Sequence, residues 1–271
     1  MIDLLLGGSP CQGFSFAGKQ LNFFDPRSKL FFDYVKALEI LKPKYFLLEN
    51  VKMKKEYEDV ITQHLGVKPI EINSALVSAQ NRKRLYWTNI PGVTQPEDKG
   101  IMLKDIVHEN IDFKTCLYSR KTGLGKEIDK STALCASDFR GLNRNQNQTS
   151  VVVEGYIRRL TPIECERLQT LPDNYTAIGV IDGKEVPISN TQRYKMLGNG
   201  WTVDVIAHIL SFIPETYLHT VVSLFDGISC GQVALERAGK VYNQYYASEI
   251  DKYAIAVTQK NYPHTMQLGD V

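Results

Sequence analysis

The sequence has no long apolar run, no CxxC pair, no internal repeat and no surplus of either charge. No stretch approaches the roughly 18 apolar residues of a membrane span. Met1 leads into Ile-Asp-Leu-Leu-Leu without a basic flank, which argues against a secretory signal. The five cysteines, at 11, 116, 135, 165 and 230, are odd in number and form no metal-ligand spacing. They exclude a disulfide framework and a zinc ribbon and point to a reducing compartment, so a cytoplasmic chain is expected. Lys plus Arg is 32 against 30 Asp plus Glu, net +2, and bulk charge therefore identifies no polyanion partner. What is present is an ordinary globular composition, 43% hydrophobic and 23% charged over 271 residues. That is enough for one large domain with a smaller companion.

Short apolar runs alternate with helical patterns at both ends of the chain. Met1–Gly7 and Tyr45–Glu49 read as strands buried on both faces of a parallel sheet. Between them Phe31, Tyr34, Val35, Leu38 and Leu41 recur at helical spacing, with Ser28 as the expected cap and Pro43 as the stop. Thr161-Pro-Ile-Glu164 is a capping box with proline at the first helical position. A further helix is expected over Thr202–Phe212. Then Val221–Phe225, the turn Asp226–Gln232 and a helix ending at Gly239 repeat the strand–turn–helix pattern, with Ser229 and Gln232 at capping-box spacing. Tyr245–Glu249 reads as the next strand. The middle of the chain is irregular and locally basic, with seven Lys/Arg against three Asp/Glu from Lys114 to Ser150. Its polar tract Gly141–Ser150 reads as a solvated loop.

Four segments could carry chemistry. The turn Gly7-Gly-Ser-Pro-Cys11-Gln-Gly-Phe-Ser15 follows a buried strand, so it places Cys11 at the carboxyl end of the sheet, where open α/β proteins bind ligands. A thiol behaving as a small buried hydrophobe is the other reading. Glu49 closes the next strand at the same edge, either as a proton-sharing acid or as a helix cap. Arg82 and Arg84, two apart on an expected strand, point the same way, as a phosphate grip or as a basic edge strand would. Finally, Glu249 lies 22 residues after Gly227, near the spacing of an acid that binds a ribose. Gly227 and Gly231 make no GxGxxG, so adenosine without a pyrophosphate fits best, with Phe225 able to stack on its base.

Together these segments resemble the DNA (cytosine-5) methyltransferase family. The Pro-Cys loop, Glu49-Asn-Val51, Gln80-x-Arg82-x-Arg84 and Phe225-Asp-Gly227-x-x-x-Gly231 are all present. Arg158–Pro172 is similar to the family segment that organises target recognition, and Gln192–Trp201 to its late cofactor motif. Trp201 itself resembles the animal de novo branch, while the remainder reads as bacterial or phage-like.

The resemblance implies a Rossmann-like α/β fold that uses S-adenosyl-L-methionine, with a smaller target-recognition domain. Residues 1–91 and 191–271 would form the two catalytic parts, and 92–190 the recognition domain, its segment 92–157 reading the base sequence. It implies Cys11 as nucleophile on a flipped cytosine, Glu49 on the ring nitrogen, and Arg82 and Arg84 on the base carbonyl and a phosphate. Gln12, Ser15, Arg27 and Gln80 would contact double-stranded DNA. Phe225, Asp226, Gly227, Gly231, Glu249, Ile250, Asp270, Val271, Pro10, Leu30, Asn199 and Trp201 would surround the cofactor. A monomer is expected, with a cognate restriction endonuclease as possible companion and no metal. The tRNA-modifying branch carries a Cys-Phe-Thr signature, to which Cys116-Leu-Tyr is the nearest approach. A silent relative would have lost the Cys or the acid, both of which are kept here.

The order of the motifs departs from the family's. The Pro-Cys loop opens the chain and the cofactor turn closes it, as in a circular permutation. Gly269-Asp270-Val271 is expected to stand beside the strand at Ile2, with Ile213–Thr220 as the linker between the halves.

Overall fold

The apolar runs are buried on both faces, as their continuity predicts. In β1 (Leu4–Gly7), Leu4 and Leu6 join one core and Leu5 the other. In β2 (Tyr45–Val51), Tyr45 and Leu47 alternate in the same way with Phe46 and Leu48. The computed structural model describes residues 2–9, 26–108 and 111–271, with the backbone alone for 26–29. Helix α1 (Pro26–Leu41) separates the two strands, and α2 (Lys55–Leu65), β3 (Ile70–Asn73), β4 (Gln80–Asn81) and β5 (Lys83–Thr88) follow. Ser28 thus lies inside α1 rather than capping it. Pro26, whose missing N–H costs nothing in the first turn, opens the helix instead.

The middle of the chain holds more strand than its sequence suggests: β6 (Phe113–Ser119), β7 (Gly123–Glu127), β8 (Ser131–Thr132), β9 (Gln148–Val153) and β10 (Tyr156–Arg159). Four of them form an antiparallel sheet in the order β10-β9-β6-β7. The solvated loop expected over 141–150 therefore ends early, because Gln148, Thr149 and Ser150 are buried in β9. Next come α3 (Pro162–Leu168), the hairpin β11 (Ile178–Ile181) and β12 (Lys184–Pro187), α4 (Asn190–Asn199) and α5 (Val203–Ser211). The capping box before α3 is made in both directions. Thr161 Oγ1 accepts from Glu164 N at 3.2 Å, and Glu164 Oε2 accepts from Thr161 N at 2.7 Å.

The last part is β13 (Tyr217–Leu224), α6 (Cys230–Arg237), β14 (Val241–Ser248), α7 (Lys252–Asn261) and β15 (Met266–Gly269). Four of the residues expected to form a linker, 217–220, belong to β13. The main sheet runs β15-β14-β13-β1-β2-β5-β3, parallel from β15 through β2, with β5 antiparallel to both its neighbours. Helices α1 and α2 cover one face, and α5, α6 and α7 contribute to the core on the other. The end of β15 does not stand beside β1 as expected. Two strands, β14 and β13, lie between them.

Candidate active site

The winding of the sheet reverses between β13 and β1. The chain leads outward through β14 and β15 on one side and through β2 on the other, so the carboxyl ends of β13 and β1 flank a switch-point crevice. Glu49, near the end of β2, stands at this edge. Its Oε1 is 3.0 Å from Arg84 Nε, and its Oε2 accepts from Trp201 Nε1 at 3.2 Å. It is no helix cap, since Lys54 holds that position before α2. The next residue, Asn50, is buried and donates Nδ2 to Ser9 Oγ at 3.0 Å and to Ser9 O at 3.4 Å. This bond ties the carboxylate's strand to the start of the Pro-Cys turn. Pro10, Cys11, Gln12 and Ser15 lie outside the described residues, and so does the side chain of Arg27.

Arg82 and Arg84 do not share a strand. The ladder breaks at Arg82, between β4 and β5, and its side chain turns inward to 4% exposure. Nη1 donates to Leu134 O at 3.1 Å and Nη2 to Gly200 O at 3.0 Å, with Gly198 O at 3.5 Å. Burial lowers its pKa to about 10, so it stays charged at neutral pH while its donors serve the protein's own carbonyls. Gln80 is also turned inward. It is wholly buried, donates to Leu168 O and Gln169 Oε1, and accepts from Leu134 N at 2.9 Å.

The other end of the crevice is the turn after β13, where Phe225, Gly227 and Ser229 have φ of +58°, +61° and +57°. Non-glycine residues in this region are strained, and such strain concentrates at functional turns. Ser229 and Gln232 form no capping box, because the Ser229 hydroxyl donates to Asp226 and Gln232 Nε2 donates to Ser229 Oγ. Asp226 is buried beneath the turn. It points into the core, accepts from Tyr245 OH at 2.7 Å, and burial pushes its pKa up to about 6. Gly231 is closely packed. A Cβ there would stand 2.7 Å from Tyr245 OH and 2.9 Å from Leu6 Cδ1, so this glycine permits close helix–sheet packing.

Glu249 closes β14 opposite the turn. Its Oε2 accepts from Gly227 N at 2.8 Å, and its Oε1 from Ile250 N and Asp251 N at 2.7 and 2.8 Å. A Cβ on Gly227 would meet nothing within 4 Å, and Ile250 is 74% exposed. Glu249 is half-buried, its Oε2 accepts a single hydrogen bond among the described residues, and the exposed Ile250 follows it. That arrangement fits the diol and base of an adenosine group. Leu30 is half-buried on α1, Asn199 is exposed at the end of α4, and Asp270 and Val271 are exposed beyond β15.

Four thiols are described. Burial pushes Cys165 well above its ordinary pKa and Cys230 up to about 12, which leaves both poor nucleophiles. Sequence reading missed a second layer of polar residues behind the site. Gln169, wholly buried, donates to Leu197 O and Gly200 O and accepts from Thr202 Oγ1. Glu166 of α3 pairs with Arg193 of α4 at 2.9 Å in the interior. The available signal was a Glu and a Gln three residues apart at core spacing within Glu164–Leu171.

The profile of the C-5 cytosine-specific DNA methylase family matches residues 1–95, 102–215 and 219–271. The orphan methyltransferase M.SPRI of Bacillus phage SPR is 27% identical over 80% of this chain and 83% of its own. The type II methyltransferase M.HpaII of Haemophilus parainfluenzae is 31% identical over 75% and 69%. M.NlaX of Neisseria lactamica, also a type II methyltransferase, is 30% identical over 76% and 74%. The crystal structure of S. pombe Dnmt2 methyltransferase matches 78% of this chain and 77% of its own with a TM-score of 0.50 at 15% identity, a likeness of fold.

Proposed function

Since the chain belongs to the C-5 cytosine-specific DNA methylase family and is a DNA cytosine-5 methyltransferase, we propose that it methylates a cytosine flipped out of double-stranded DNA through a covalent bond to Cys11. The observation that carries this reading is Glu49, a carboxylate gripped by two donors at the sheet edge, whose neighbour Asn50 holds Ser9, two residues before Cys11. Carbon 5 of cytosine is a weak nucleophile. Addition of the Cys11 thiolate to carbon 6 makes carbon 5 enamine-like, while Glu49 shares a proton with ring nitrogen 3 and accepts from the amino group. After methylation, loss of the proton on carbon 5 lets the carbon 6–sulfur bond break and returns the thiolate.

S-adenosyl-L-methionine, when bound, supplies the electrophilic methyl group. Glu249, Phe225, Gly227 and Ile250 would hold its adenosine half, with Leu30, Asn199, Asp270 and Val271 nearby. Flipping the base costs a few kcal/mol of stacking and pairing. The antiparallel sheet of residues 113–159, within the recognition domain assigned to 92–190, would read the major groove. The enzyme acts in this reading as a monomer in the cytoplasm, beside a cognate endonuclease.

DNA carrying 5-fluorocytosine tests the chemistry, because fluorine cannot leave as a proton does. Wild-type protein should form an adduct stable in denaturant, and Cys11→Ser should form none while keeping DNA affinity within a few-fold. An adduct with Cys11→Ser would assign the nucleophile elsewhere.

A further inference from the structure

Glu49 is held from both sides by groups that come from opposite ends of the chain. Arg84 reaches Oε1 from the neighbouring strand β5, and Trp201 reaches Oε2 from the turn between α4 and α5, 152 positions away. That turn is anchored. Arg82 and Gln169 both donate to Gly200 O, Gln169 also to Leu197 O, and Thr202 Oγ1 lies between Ser74 Oγ and Gln169 Oε1, 2.9 Å from each. The indole lies flush on Gly8, where a Cβ would stand 2.8 Å from Trp201 Nε1 and 3.3 Å from two of its ring carbons. Its one N–H donor is therefore committed to the carboxylate by packing as well as by hydrogen bonding.

We propose that Trp201 is a positioning residue for Glu49, its indole N–H and the Arg84 guanidinium together fixing the carboxylate plane that meets the cytosine ring. The inference rests on the assignment of Glu49 to the base. Removing that donor leaves one carboxylate oxygen unheld and frees the group to rotate about Arg84. A tryptophan that served only as a wall of the cofactor site would instead weaken cofactor binding and leave the carboxylate in place.

The chain has two tryptophans, which makes a direct test possible. In ¹⁵N-labelled protein without DNA or cofactor, the indole resonance of Trp201 should move when Glu49→Gln or Glu49→Ala removes the carboxylate. Trp87, which donates to Thr62 Oγ1, serves as internal control and should stay. An indole resonance indifferent to Glu49 would overturn the proposal whether or not the enzyme methylates DNA.

In single-turnover methylation, Trp201→Phe should lower the rate about tenfold, the loss typical of one hydrogen bond to a charged group. The KM for S-adenosyl-L-methionine should change less than threefold. In the Glu49→Gln background the same substitution should have no further effect on rate. A raised cofactor KM with an unchanged rate would also overturn the proposal. An intact indole coupling combined with full activity of Glu49→Gln would overturn it through the assignment of Glu49 itself, a distinct failure.

Discussion

Asp226 shows how one side chain can oppose stability for the sake of a turn. Its carboxyl is buried, and its folded pKa of about 6 lies above the unfolded value of 3.8. Between those values the folded state binds more protons than the unfolded chain, so stability falls as pH rises from about 4 past 6, by on the order of 2–3 kcal/mol. Asp226→Asn removes the charge, and the hydroxyls of Ser229 and Tyr245 can rotate to suit the amide. The variant should therefore be more stable than wild type in urea at pH 8, with the gap closing near pH 4.5. Arg82→Met should behave oppositely, losing about 2–4 kcal/mol in the same measurement, because it strips donors from the carbonyls of Leu134 and Gly200. Glu49 and Glu249 were legible in the sequence because an acid that ends an apolar run marks a strand's mouth. Arg82 and Gln80 were not. Period-two reasoning assumes an unbroken strand, and the break at Arg82 depends on Asn73 Oδ1 accepting its N–H at 3.0 Å.

Among the elements, local pattern located the helices but not every cap, since Ser28 lies inside α1 and Ser229 makes no side-chain cap. The cap before α3 is local, and Thr161→Ala should cost about 1 kcal/mol by chemical denaturation. The helix α5, expected over Thr202–Phe212 and formed over Val203–Ser211, likewise announces itself by its apolar face. The strands of the middle sheet do not. Gln148-Thr-Ser150 is polar in sequence, yet its side chains find partners in Asp138, Ser131 and the Cys116 carbonyl, so burial there is paid in hydrogen bonds rather than in apolar area. Two tight turns, Glu154-Gly155 and Asp182-Gly183, with all four φ positive, were the signals that could have revealed two of the hairpins. The sharpest inter-element fit is at Gly198 of α4. A Cβ there would stand 2.2 Å from the backbone of Cys135 and Ala136. Gly198→Ala should therefore force α4 from the 136–140 segment and lower the melting temperature more than any surface substitution on the same helix.

At the scale of the whole molecule, affinity for DNA should fall steeply between 50 and 200 mM salt in a titration, because most of it comes from phosphate contacts. The motif order was legible, but the distance between the halves was not. β15 and β1 are parallel and three places apart, so a chain joining them must cross about 14 Å of sheet and return to its opposite end. Such crossovers take a dozen or more residues. A relinked enzyme should be active with a connection of about that length and an opening within 214–216, whereas a few glycines should give misfolded protein by circular dichroism. The backbone of Leu134 is the point where the parts of the molecule are stitched together: Gln80 takes its N–H, and the Arg82 guanidinium donates both to its carbonyl and to the carbonyls of the turn at Gly198–Gly200. For recombination this stitch is a reading frame of its own. Exchanging the whole of 92–157 for a relative's segment should carry over the relative's target sequence only when the incoming backbone reproduces 134–136. Chimaeras whose junctions spare those three residues should inherit a new specificity on an unchanged chassis.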